Sequence, residues 1–287
     1  MSSLLTTKCT TSSQKIESNC VQHISSIEKT LNSRFSIASL TGVRIFVSRV
    51  KYVMFDSLLR VPWISFLITS ARFFVIKYVL RRKLQMWSVD NEKTVNYDYS
   101  KSAYSKALIR PLTRSVLPIS LASSLFWPEP FNKKLLIIGP RYESDYFLAR
   151  GYGFAKSNIS LVDHFSYSKL ITVGDAHQLN FEENSFDAVI ASWILVYSKN
   201  QEQLLSELRR VIKPNTGLAI ITGDHHLSPH NPSPSYGSDR GYMFDSAHIQ
   251  NLWPNKDDKF LIQWPTQSLV ISGTAQVIVA IQKSSEQ

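Results

Sequence analysis

A chain of 287 residues suits one sizeable domain with an extension, or two modest domains. Hydrophobic residues at 44% and charged residues at 19% exclude a wholly disordered chain. Two cysteines, Cys9 and Cys20, exclude a disulfide framework and a cysteine zinc cluster, so a reducing, cytoplasmic setting is the expectation.

The net charge of +10 is unevenly spread. Residues 1–130 hold 18 Lys+Arg against 7 Asp+Glu, whereas the remainder holds 14 against 15. Such asymmetry points either to an anionic partner, a membrane or a nucleic acid, or to a solvated basic region with no partner. No RNA-binding module is evident, so nucleic acid ranks last.

Residues 1–40 read as a disordered polar tail, without the apolar core of a secretory signal. Residues 41–130 read as a basic, largely helical region. Within it, 43–85 is the most apolar stretch, but its longest uncharged run, Val61 to Ala71, is only 11 residues. A spanning helix needs roughly 20. Arg60, Arg72, Lys77 and the "RRK" at 81–83 suit helices with one apolar face. Such helices either pack on the next domain or lie on a bilayer surface, with Trp63 buried and the cations near lipid phosphates. Pro128 and Pro130 mark a boundary, after which 131–287 forms the main domain.

From residue 133 onward strands alternate with helices, the pattern of an α/β domain with a mostly parallel sheet. Apolar runs fall at 135–138, 159–162, 186–196 and 218–222. Leu204, Leu205, Leu208, Val211 and Ile212 share one helical face, with Ser198 and Gln201 spaced as a capping box. "FLIQW" and "TAQVIVAIQK" lie close enough to form an antiparallel hairpin at a sheet edge.

In such sheets ligands sit beyond the carboxyl ends of the strands. At those ends stand Gly139, Pro140, Arg141 and Glu143, then Asp163, then Asp175, then Ser192 and Trp193. Asp163 follows Gly139 by 24 residues, a spacing that suits a carboxylate accepting both hydroxyls of a ribose. Asp175 on the next strand suits an exocyclic amine such as that of adenine. Glycine at 139 lets a ligand approach the backbone. An adenosine-like ligand fits all three.

The segment "GDAHQLNFEENSFDAVIASWILVYSKNQEQLLSELRRVIKPNTGLAII" resembles the class I S-adenosylmethionine-dependent methyltransferases, in the subgroup with methyltransferase-11-like motifs. The similarity covers roughly 133–224. It implies a Rossmann-like seven-stranded sheet with an antiparallel last strand, and S-adenosylmethionine as cofactor. It also implies Asp163 on the ribose, Asp175 and the Ala176 amide near adenine, and Gly139 under the methionine portion. Ser192 stands at the same edge.

The chain departs from the family pattern in its first motif. Ile137 replaces an acid, and Arg141 and Glu143 replace glycines. Either Arg141 pairs with the methionine carboxylate and Glu143 with its ammonium, or both fill the pocket and cofactor binding is lost. The second outcome would leave a non-catalytic scaffold. Only residues 164–170 separate Asp163 from the third strand, too few for the usual crossover helix.

His225, His226 and His230 follow the fifth strand in a Pro/Ser-rich loop, and His225 or His226 is the candidate base for removing the acceptor's proton. A metal site is not expected there. Asp187 reads as structural. The methyl acceptor is read as a small molecule or a lipid-linked compound, with peripheral membrane contact through 43–85 as the further partner.

Overall fold

The computed structural model describes residues 56–87, 114–140, 142–198, 200–224, 246–264 and 276–285. The chain divides into two compact units, Met1–Met54 and Phe55–Gln287, and the first lies outside the described residues.

The second unit is built on seven strands: β2 (Leu135–Ile138), β3 (Ile159–Asp163), β5 (Thr172–Val173), β6 (Ala188–Ser192), β7 (Leu218–Asp224), β8 (Lys259–Trp264) and β9 (Gln276–Gln282). They lie side by side in the order β5-β3-β2-β6-β7-β9-β8. The first five are parallel, while β9 runs antiparallel to both of its neighbours. This is the Rossmann-like sheet with an antiparallel last strand that the family resemblance implies, on the mostly parallel α/β pattern read from the strands and helices. The β8–β9 hairpin forms as expected.

The apolar run 186–196 is strand only from Ala188 to Ser192; Leu195–Tyr197 forms a 3-10 turn. The expected capping box is likewise corrected. Helix α4 (Gln201–Val211) is capped by Asn200, whose side chain accepts from the Gln203 amide at 3.0 Å. Ser198 ends the preceding turn in an extended conformation, and its hydroxyl is held by His177 instead.

Both faces of the sheet are covered. On one, α4 and α5 (Ser246–Leu252) bury Leu204, Leu208, Ile249 and Trp253 against Leu136, Val189 and Ile221. On the other, α2 (Val116–Leu125) and α3 (Ser144–Gly151) pack on Leu135, Ile137 and Ile190. The connection between β3 and β5 indeed lacks a helix. It holds only the short strand β4 (Phe165–Ser166), paired antiparallel with β1 (Gln85–Met86).

The N-terminal segment supplies what that connection lacks. Helix α1 (Pro62–Phe74), continued by a π turn at Val75–Val79, packs beside α3, with Leu59, Ile64 and Ile68 in the same apolar cluster as Leu161 and Ile171. Two ion pairs tie it down: Arg150 with the buried Asp56 at 2.6 Å, and Arg72 with Glu143. At Gly151 the packing is too close for any side chain. A Cβ there would lie 2.5 Å from the Arg60 amide nitrogen and 2.7 Å from the Leu59 carbonyl carbon. Backbone cannot yield as a side-chain tip can. Gly151→Ala is therefore expected to cost about 3 kcal/mol, the upper range for overpacking, read as a fall in melting temperature of about 6 °C or more.

Candidate functional site

Parallel strands place all their carboxyl ends at one edge. Strand order reverses between β2 and β6, so a crevice opens there. Gly139 follows β2 directly, with φ +71°, a conformation that disfavours any side chain, and its amide donates to the Val162 carbonyl at 2.9 Å. A Cβ would meet only Ile194, at 3.7 Å, so the turn requires glycine for its dihedral rather than for room.

Asp163 ends β3 opposite Val173 of β5, and its carbonyl accepts from the Gly174 amide at 3.0 Å. Asp175 comes next. Its Oδ1 accepts from the His177 amide at 2.9 Å and lies 2.7 Å from His177 Nδ1, while His177 Nε2 lies 2.6 Å from Ser198 Oγ. A neutral ring protonated on Nδ1 satisfies both contacts, donating to the carboxylate and accepting the hydroxyl. Burial pushes the Asp175 carboxyl up, but the His177 amide and ring more than offset it, so its pKa falls below the usual range. Ser198 is buried and the chain resembles no hydrolase here; the linkage holds Asp175 in place. Ala176 beside it is buried in the core.

Ser192 ends β6 next to Thr222 of β7. Both hydroxyls are buried without a hydrogen-bond partner among the described residues, as is Trp193 Nε1. Such orphaned groups are rare in a folded interior. Side-chain alternation puts Asp163, Ser192 and Thr222 on the sheet face that carries α3. Trp193 adds a strained backbone, φ +56° for a bulky residue, with Arg114 stacked on its ring at 5.0 Å. Unpaired polar atoms, a carboxylate pair and an open glycine turn at one edge fit a nucleoside-bearing cofactor.

Glu143 has partners within the chain. It is buried at the start of α3, where Arg72 grips both its oxygens (Nε to Oε2 at 2.5 Å, Nη2 to Oε1 at 3.1 Å), and Ser168 donates to Oε1 as well. Arg141, His225, His226 and His230 lie outside the described residues. Asp187 is structural: its Oδ2 accepts from the Lys134 amide and from Lys213 Nζ, each at 2.9 Å.

One group was invisible in the sequence. Asp145, in the first turn of α3, is buried and accepts from Ser115 Oγ at 2.7 Å. Burial, opposed by the Ser115 bond and reinforced by the Asp163 charge, pushes its carboxyl from the ordinary 3.8 to about 7. An acid with a raised folded pKa gives stability that is fully present below pH 3.8 and lost as pH rises through about 7. Asp145→Asn should therefore be the more stable protein at pH 8, by about 1–3 kcal/mol, and equal to the parent near pH 4. Melting temperatures across that window check it. Asp175, Glu207 and Asp258, whose pKa values are lowered, act oppositely, and their contribution is lost on acidification.

The family profile described as "Methyltransferase domain" matches residues 152–220. That span contains Asp163, Asp175 and Ser192 and begins after the altered glycine turn. Strand order, the antiparallel β9 and the carboxylates at the β3 and β5 ends define a Rossmann-like methyltransferase fold. Residues 152–220 are thus similar to the methyltransferase-domain family, and the sheet around them has the Rossmann-like strand order.

Solved structures resemble it distantly. A chain from the complex between the Haloferax volcanii Trm112 methyltransferase activator and the putative methyltransferase is 13% identical, with 67% of this chain and 97% of that one covered and a TM-score of 0.49. The PH0226 protein of Pyrococcus horikoshii is 19% identical, covering 63% and 93%, with a TM-score of 0.43. The Burkholderia thailandensis 1,6-didemethyltoxoflavin-N1-methyltransferase, solved with 1,6-didemethyltoxoflavin and S-adenosylhomocysteine, is 12% identical, covering 71% and 96%, with a TM-score of 0.42. At such identities these likenesses add nothing to the topology read directly from the strands. No curated protein sequence matches the chain.

Proposed function

We propose that the protein binds S-adenosylmethionine across the carboxyl ends of β2, β3, β5 and β6 and transfers its methyl group to an oxygen, nitrogen or carbon nucleophile. The observation that carries this reading is the placing of Asp163 and Asp175 on adjacent strand ends beside the φ +71° turn at Gly139. The cofactor, when bound, supplies an electrophilic methyl on a sulfonium.

The chain's part is positional. Asp163 accepts the two ribose hydroxyls, and Asp175, with one oxygen fixed by His177, offers the other to the adenine amine beside the Ala176 amide. Gly139 admits the methionine portion close to the backbone, and Ser192 faces the same edge. Arg141, next in sequence, is the candidate partner for the methionine carboxylate. Holding acceptor and methyl in line, with water excluded, provides most of the rate. With the cofactor held there, the acceptor's lone pair would form the new bond to the methyl carbon as the carbon–sulfur electrons return to sulfur, and S-adenosylhomocysteine would be left. The acceptor's proton passes to a base, for which His225 or His226, directly after β7, is the candidate. The acceptor is proposed to be a small molecule or a lipid-linked compound.

Calorimetric titration of the full chain with S-adenosylmethionine and S-adenosylhomocysteine tests the reading. Micromolar binding of both is expected. Absence of heat and of any thermal shift at millimolar ligand would sink it.

A further inference from the structure

Helix α1 is apolar on two faces, one of them packing Ile64, Ile68 and the buried Phe73 against the protein. The face it turns to the protein includes Ser65 and Thr69, both buried, and the Thr69 hydroxyl has no partner. Its outward face is apolar. Trp63, Leu67, Phe74 and Tyr78 are 58%, 62%, 58% and 56% exposed. Together with exposed Ala71 they recur every three or four residues, forming one stripe roughly 22 Å long. Leu58, Val61, Val75, Val79 and Leu80 are exposed around it. A monomer does not ordinarily leave so continuous an apolar surface to water.

Charge indicates what covers it. Residues 57–87 contain six basic side chains, Arg60, Arg72, Lys77, Arg81, Arg82 and Lys83, and no acidic one. Arg72 is committed to Glu143 and Arg60 to the Gly151 carbonyl, but Arg81 and Lys83 stand exposed just past the helix, beside the stripe's last residues. Residues 1–55 carry 7 Lys+Arg against 2 Asp+Glu, the same sign as the helix, and offer it no complementary charge. A second copy would bring the same excess of cations. Nucleic acid would match the charge and leave the leucines and valines wet. Among the described residues no helix is long and apolar enough to cross a membrane.

We propose that α1 and the basic turn after it form a docking surface for an anionic phospholipid bilayer. The helix lies in the plane of the headgroups, with Leu67 and Phe74 below them, Trp63 and Tyr78 at their level, and Arg81 and Lys83 against the phosphates. The proposal stands apart from the cofactor reading, since it uses neither the strand ends nor their carboxylates.

Flotation of the full-length protein tests it, with vesicles of phosphatidylcholine alone or with about one third phosphatidylserine. Binding to the anionic vesicles is expected, weakening with salt and absent on the neutral ones. Leu67→Ser with Phe74→Ser should lower vesicle affinity at least about tenfold, and so should Arg81→Glu with Lys83→Glu. Because these side chains point outward, melting temperatures should stay unchanged, and a drop would be met by repeating the test with Leu67→Gln alone. No binding to anionic vesicles overturns the proposal. So does binding that all the variants retain, which would place it in other basic residues. A dimer in light scattering that Leu67→Ser with Phe74→Ser dissolves, or tighter binding to single-stranded RNA than to vesicles, would also overturn it in favour of that partner.

Discussion

Asp163→Ala is expected to abolish measurable binding of S-adenosylmethionine while leaving the fold intact. A carboxylate that accepts two hydroxyls makes two charge-assisted hydrogen bonds, each contributing about 1.5–3 kcal/mol. Their loss weakens affinity by about 3 kcal/mol or more, over a hundredfold, and a micromolar titration disappears. The fold should survive because β3 is held by backbone pairing to β2 and β5, which the substitution does not touch. A second readout separates loss of a ligand from loss of structure. The Asp163 charge is one cause of the raised Asp145 carboxyl, so removing it should bring that pKa down. Asp163→Ala would then be no less stable than the parent at pH 8. A variant that melts early at that pH, or one that still binds the cofactor, would count against the ribose role.

Arg72→Ala is expected to be among the most damaging single changes at the surface. The Glu143 carboxylate it leaves behind is buried, and among the described residues Ser168 still donates to it. Orphaning a buried charge costs about 3 kcal/mol at the low end, a fall of about 6 °C or more in melting temperature. The low end is apt because the Arg72 side chain is itself nearly half exposed. Replacing both partners together, Arg72→Ala with Glu143→Leu, should recover much of the loss, since no buried charge then remains. This pair also tests the altered glycine turn. If Glu143 serves α1 alone, Glu143→Gln should cost stability and leave cofactor affinity nearly unchanged. A selective fall in affinity would assign it to the methionine ammonium after all.

The residues of the strands and the helix α4 were legible because their signals are local. "LLII" at 135–138 and "AVIA" at 188–191 announce buried strands through unbroken apolar runs, and the leucines of α4 announce an amphipathic helix through their spacing. Asp163 and Asp175 were equally legible, because parallel strands send every carboxyl end to one edge and chain order alone tells which residue stands there. Even the missing crossover helix could be counted from residues 164–170.

What chain order cannot carry is the partnership of residues far apart. Arg72 meets Glu143 across 71 residues, Arg150 meets Asp56 across 94, and Ser115 meets Asp145 across 30. Each depends on where α1, α2 and α3 pack, which follows from the whole core rather than from any window of sequence. The capping box failed for a related reason: Ser198 matches the local motif, but His177, from beyond the end of β5, takes its hydroxyl. For the basic apolar stretch the sequence leaves packing on the next domain and a bilayer surface both open. Only the packed structure separates them on one helix, because burial of Ser65, Thr69 and Phe73 decides which face of α1 remains for water or lipid.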